Sequence, residues 1–139
     1  MYIKQLTVFL ENKDGRLEKV TEILKNNDIN ILSITLADTK DYGVLRIIVS
    51  DPKKGKEVLK QANFSAELVD VIGVKVPHDV GMLHEMLKSL SDENIGISYM
   101  YLLDSGKKPS MIIKTSKIEK AIDILKENNY ETIQENEVY

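Results

Sequence analysis

No cysteine occurs among the 139 residues, which excludes disulfides, thiolate metal sites and cysteine nucleophiles. Such a chain suits a reducing interior, and the cytoplasm is its expected location. No apolar run approaches the roughly 20 residues of a spanning helix, and the opening Met1-Tyr-Ile-Lys-Gln-Leu-Thr lacks the apolar region of a signal peptide. A soluble protein with no membrane partner is expected. Charge of one sign is not in excess: 19 basic and 22 acidic residues leave a net charge of −3. Lysines and acidic residues alternate along the predicted helices, which argues against a polyanion groove and against nucleic acid as a partner. The two histidines, His78 and His84, are spaced as neither a helical ligand pair nor a dyad. His84, in a predicted helix, reads as a surface or partly packed residue. There is no phosphate-cradling Gly-x-x-x-x-Gly-Lys run and no paired carboxylate set at convergent strand ends. No cofactor, no metal and no enzymatic activity are expected.

What is present is the same sequence pattern twice. A shift of 66 residues places Val8 on Val74, Gly15 on Gly81, Leu17 on Leu83, Leu24 on Leu90 and Ile29 on Ile95. The register then holds through Leu36 on Leu102, Ile47 on Ile113, Leu59 on Leu125, Asn63 on Asn129 and Phe64 on Tyr130. One supersecondary unit is written in tandem, so its site should exist in paired or degenerate copies. The division is expected at residues 1–70 and 71–139, each half small enough to be marginal as an isolated core.

The first half reads as strand, helix, strand, strand, helix, strand. Residues 3–10 are rich in β-branched side chains, and Asn12-Lys-Asp-Gly15 carries turn chemistry. Leu17, Val20, Ile23 and Leu24 then recur at helical steps until Asn26-Asn27-Asp28 stops the run. Extended segments follow at 29–37 and 44–50, Asp51-Pro52 opens a second helix, and 64–69 closes the unit. The second half repeats the order, with Ile118, Ala121, Ile122 and Leu125 on one helical face. The order βαββαβ predicts an α+β fold, two ferredoxin-like units with antiparallel sheets and both helices on one face. Ile29, Ile31, Leu32, Ile34 and Leu36 put apolar groups on both sides of their strand. A covering partner is expected for the free sheet face, most simply in a homodimer. A ferredoxin-like sheet that binds RNA needs stacked aromatics and a basic surface, which are missing here.

The chemistry that remains lies between the first strand and first helix, at Glu-Asn-Lys-Asp-Gly-Arg-Leu, residues 11–17. A glycine entering a helix leaves unpaired N–H groups and a partial positive charge facing outward, suited to a carboxylate. An ammonium group could find acceptors in the Asn12 amide oxygen or the Asp14 carboxylate. The plainer reading makes Asp14 only a helix cap.

Asn12 and Gly15 in that turn, followed by Asn30-Ile31 at the second strand, resemble the ACT domain. That family's pattern is an Asn-x-Pro-Gly-like turn, a helix and an Asn-Ile strand start; Asp14 stands here where proline is common. The resemblance covers essentially the whole chain as two tandem units and implies an amino-acid-sensing regulatory module. It implies a ligand held between two units, by the turn of one and the second-strand start of its neighbour. The residues so marked in the first unit are Asn12, Asp14, Gly15, Arg16, Leu17, Asn30 and Ile31.

The second unit departs from the pattern. His78 replaces Asn12 and Gly96 replaces Asn30, while Gly81 and Leu83 keep the backbone shape. Two readings are open: this unit is a structural partner, or the halves form unlike faces of one asymmetric site to which His78, Asp79, Val80, Gly81, Met82 and Leu83 belong. Tyr99 and Tyr101 alternate onto one side of their strand and suit packing, or a lid over an apolar ligand. Lys53-Lys54 and Lys107-Lys108 read as solvated turn residues. The expectation is a non-catalytic, allosteric regulatory protein that binds a free amino acid or similar small ligand and signals to a regulated enzyme. The alternative is a structural or protein-docking module with a decayed site.

Overall fold

The structure, a computed structural model, describes residues 2–77, 79–104 and 109–138. The elements run β1 (Ile3–Glu11), α1 (Arg16–Asn26), β2 (Ile31–Asp38), β3 (Tyr42–Val49), α2 (Pro52–Gln61) and β4 (Ser65–Lys75). They continue as α3 (Met82–Asp92), β5 (Tyr99–Asp104), β6 (Pro109–Lys114), α4 (Ile118–Glu127), β7 (Thr132–Ile133) and α5 (Glu135–Val138). The chain divides into a first compact unit, 4–69, and a second that joins Tyr2 and Ile3 to 70–138. This is the tandem βαββαβ architecture expected from the sequence.

In the first unit the strand order is β2-β3-β1-β4. β1 and β2 both pair antiparallel with β3, through Val8↔Leu45 and Leu36↔Leu45 among other pairs. Alternation along the strands sends Leu6, Val8, Leu45 and Ile47 into one core with Val20 and Leu24 of α1 and Leu59 of α2. In the second unit β4 pairs with β6 and β7, and β5 pairs with β6, all antiparallel. Its core holds Ile72, Val74, Met86, Leu90, Ile113 and Leu125, each one repeat length from its counterpart.

Four of the helices end in the same way, in the local sequence Leu-x-x-x-(Asn/Asp)-apolar. Asp28, Asn63, Asn94 and Asn129 have φ of 57°, 68°, 59° and 66°, a left-handed geometry that Asn and Asp tolerate better than branched residues. Their N–H groups donate to Lys25, Lys60, Ser91 and Lys126, and the next residues, Ile29, Phe64, Ile95 and Tyr130, donate to Leu24, Leu59, Leu90 and Leu125 at 2.9–3.0 Å. These are Schellman motifs, each tucking an apolar residue under its helix end. A second repeated device corrects the reading of Lys54 as a solvated turn residue. Lys54 lies in the first turn of α2, and its Nζ donates to the Asn27 carbonyl at the end of α1 at 3.0 Å. Lys120 does the same to the Glu93 carbonyl at 3.3 Å, so each unit sets an ammonium on the negative end of its first helix.

Three features depart from a plain duplication. The chain passes between the units inside one uninterrupted strand, because no proline or turn pair interrupts Glu67-Leu-Val-Asp-Val-Ile72. The last strand is only Thr132–Ile133, followed by a helical turn. β5 begins at Tyr99 rather than at Ile97; its counterpart β2 also breaks register between Ile31 and Ser33, so both second strands are irregular at the same place. Nor does β2 leave Ile34 and Leu36 on a free sheet face. Ile34 and Leu36 are half-exposed, but they pair with Ile47 and Leu45 of the helix-side core and therefore point to the helix side. Gln5, Thr7 and Ile48, outside that core, are already buried in the single chain.

Candidate functional site

The first unit carries a cleft of about 340 Å³ where the turn after β1 meets the start of α1 and the far end of β2. Asn12, Asp14, Arg16 and Leu17 line it with Leu10, Glu11 and Lys13, and Leu36, Ala37, Asp38 and Gly43 close the other side. The turn has this shape because Gly15 adopts φ of 83°, a region L side chains rarely occupy. No side chain caps α1, and its first bond runs from the Lys19 N–H to the Gly15 carbonyl at 3.0 Å. Asp14 is therefore not the helix cap of the plainer reading, and the preceding amides lack intrahelical acceptors.

Charge in the cleft is mixed. Glu11 and Lys13 pair at 3.0 Å, and the hydrogen bond from Lys13, with its charge, holds the Glu11 carboxyl below the usual carboxylate range. Arg16 lies with its guanidinium carbon 4.3 Å from the centroid of the Phe64 ring. Its Nε is buried without a hydrogen-bond partner. Stacking immobilises a planar, always-charged donor that matches a carboxylate bidentately. Asp14 and Asp38 line the same space and can accept from an ammonium group. The cleft thus presents both halves of zwitterion recognition.

The remaining first-unit residues fall elsewhere. Ile31 packs against the core. Asn30 precedes β2, whereas the cleft meets the other end of that strand, so the two are separated by the strand's length. Its backbone is engaged on both sides, donating to Ser50 Oγ and accepting from the Ser50 N–H, each at 2.9 Å. Any part for Asn30 beside a ligand requires a unit other than the one holding the cleft. Leu36, Ala37, Asp38 and Gly43 escaped sequence reasoning because β pairing alone brings them to the turn. Phe64 escaped as well, although its aromatic counterpart at Tyr130 was a signal.

In the second unit Gly81 repeats the turn with φ of 85° and α3 again has no side-chain cap. His78 and Lys107-Lys108 lie outside the described residues. Val80 is fully exposed, and Asp79 and Leu83 line a smaller cleft of about 290 Å³. Met82 lines a neighbouring one of about 530 Å³. Tyr99 and Tyr101 stack on each other, centroids 6.5 Å apart; they line none of these clefts. His84 is exposed. Among the described residues no group of three acidic or histidine side chains is placed to hold a metal ion, and no helix is long and apolar enough to cross a membrane.

The family described as "ACT domain pair" matches residues 1–139. Protein BT0572 from Bacteroides thetaiotaomicron is similar at 39% identity and a TM-score of 0.93, covering 100% of this chain and 96% of that one. The regulatory subunit of aspartate kinase from Thermus thermophilus, in its ligand-free form, shares the fold with a TM-score of 0.61 at 16% identity, over 89% of this chain and 91% of that one. The acetolactate synthase small subunit of Buchnera aphidicola subsp. Baizongia pistaciae (strain Bp) is 33% identical over 72 residues, 50% of this chain and 43% of that protein. The match thus spans less than half of that curated relative.

Proposed function

This chain belongs to the ACT domain pair family over its whole length, and from that premise we propose that it is a non-catalytic regulatory protein that binds a free amino acid or similar small zwitterion in the first unit. The observation that carries this reading is the placement of Arg16, stacked on Phe64 at 4.3 Å, in a cleft that also holds Asp14 and Asp38. The ligand carboxylate pairs with the guanidinium and the amides at the start of α1, and its ammonium with Asp14 or Asp38. Leu10, Leu17 and Leu36 then supply the wall for its side chain. Binding acts through assembly or through a surface offered to a regulated enzyme, because a ligand shifts an equilibrium only by its differential affinity. The assembled form is a homodimer in the cytoplasm, with Asn30 contributed from another unit.

A thermal-shift screen against the twenty amino acids at about 1 mM tests this, since a ligand with Kd near 10 μM adds about 2.7 kcal/mol. One amino acid standing out, with the shift lost in Arg16→Ala, is the expected result. No shift from any of them leaves the protein-docking reading in its place.

A further inference from the structure

Placed in the repeat's register, the two units carry the same cleft with opposite chemistry. Glu11, Lys13, Asp14 and Arg16 of the first correspond to Pro77, Asp79, Val80 and Met82 of the second, and Gly43 corresponds to Pro109. The cleft has not closed with the loss of its charges. About 290 Å³ remains, walled by Val76, Pro77, Leu83, Leu102 and Pro109. Beside it the larger cleft of about 530 Å³ shares Val76, Pro77 and Pro109 and adds Met82 and Tyr130. Those last two stand where Arg16 covers the Phe64 ring, yet here they border open space.

A unit kept only as scaffold would gain by packing these side chains away from water. Instead Leu83 is 42% and Leu102 66% exposed, and clustered apolar exposure in a concave site marks a ligand groove. The charge balance narrows the ligand class. Lys75, the only basic residue on either lining among the described residues, is held by Glu131 at 2.7 Å, and Asp79 adds a negative charge at the rim of the smaller cleft. Among the described residues of these two linings, an acidic ligand finds no unengaged cation.

We propose that the second unit carries a separate site for a largely apolar small molecule with a ring or branched aliphatic body, seated where the two clefts join at Val76, Pro77 and Pro109. It is independent of the zwitterion reading of the first unit, since no residue is common to the two sites. Indole titrated into the full chain carrying ¹³C-methyl methionine and leucine is the test. Saturable shifts at Met82, Leu83, Leu102 and Met111, with Leu10, Leu17 and Leu36 unmoved, are expected. Leu102→Lys, an exposed substitution whose fold is checked by melting, should weaken indole at least tenfold, while Ile34→Lys on the first unit leaves it unchanged. The proposal is overturned by non-saturable shifts, by equal shifts in both units, or by full affinity in the folded Leu102→Lys protein.

Discussion

Arg16 illustrates how much a single residue depends on what lies beneath it. A guanidinium on an aromatic face is held flat and keeps its fork available, whereas a lysine ammonium is a hydrated point charge on a flexible stem. Arg16→Lys should therefore weaken the best amino-acid ligand at least tenfold, about 1.4 kcal/mol, as read by calorimetry. Its melting temperature should stay near that of the parent, because the exchange removes only a partly exposed cation–π contact. Gly15 offers a cleaner backbone test. A Cβ there would meet nothing within 4 Å, so Gly15→Ala is penalised by its φ of 83° alone. A loss of about 1–2 kcal/mol in denaturant unfolding is expected. Glu11 provides a pH signature. Its folded pKa is depressed, chiefly by the Lys13 hydrogen bond, so the pair's contribution is present above the unfolded carboxylate pKa and fades as pH falls through the folded one. Since both side chains are well exposed, the effect on stability is small. In an NMR titration Lys13→Met should raise the Glu11 pKa, leaving only the smaller lowering by the Arg16 charge.

At the scale of elements, the helix ends are the most local feature and were the most legible. Asn26-Asn27-Asp28 marks the stop in the sequence, and the fold supplies the reason: at Asp28 a short polar side chain accepts positive φ where a branched one does not. Asn63→Gly should be neutral or stabilising by up to about 1 kcal/mol, and Asn63→Val destabilising by at least about 1 kcal/mol, both read from urea midpoints. Gly55 tests the contact between helix and sheet. A Cβ at this position of α2 would lie 3.1 Å from Leu6 Cδ2, and the second unit places the buried Ala121 at the same register. The helix approaches closely in both copies, and Gly55→Val should cost about 1–3 kcal/mol by overpacking. The two-residue β7 and the late start of β5 were not legible. The pairing partner, not the local sequence, decides where a strand stops.

For the whole molecule, the two units are not two consecutive halves of the chain. Ile3 belongs with the second unit, is fully buried, and its Cδ1 lies 2.5 Å from where a Gly73 Cβ would stand. A fragment of residues 70–139 lacks it and leaves a void lined by Gly73 and Ile133. Such a fragment should be less stable by about 2–5 kcal/mol than the same unit in the intact chain, visible in thermal unfolding followed by circular dichroism. Light scattering on the eluting intact chain checks the proposed homodimer: a mass of two chains is expected, and a mass of one removes Asn30 of a second copy from the ligand reading.

The 66-residue repeat, the βαββαβ order, the helix stops and the glycine turns at Gly15 and Gly81 were determined by the sequence alone. Each is either periodic or confined to a few neighbouring residues, so the chain needs no distant partner to express it. Tertiary structure decided what the turns face. Only the pairing of β3 with both β1 and β2 carries Asp38 and Gly43 to the first turn, and only the Schellman motif after α2 lays Phe64 beneath Arg16. The pairing of β6 with both β4 and β5 in the second unit brings Leu102 and Pro109 beside Pro77 and leaves an apolar cleft. Residues far apart in sequence meet through hydrogen-bond register and packing, and neither can be read from composition or from the spacing within one segment.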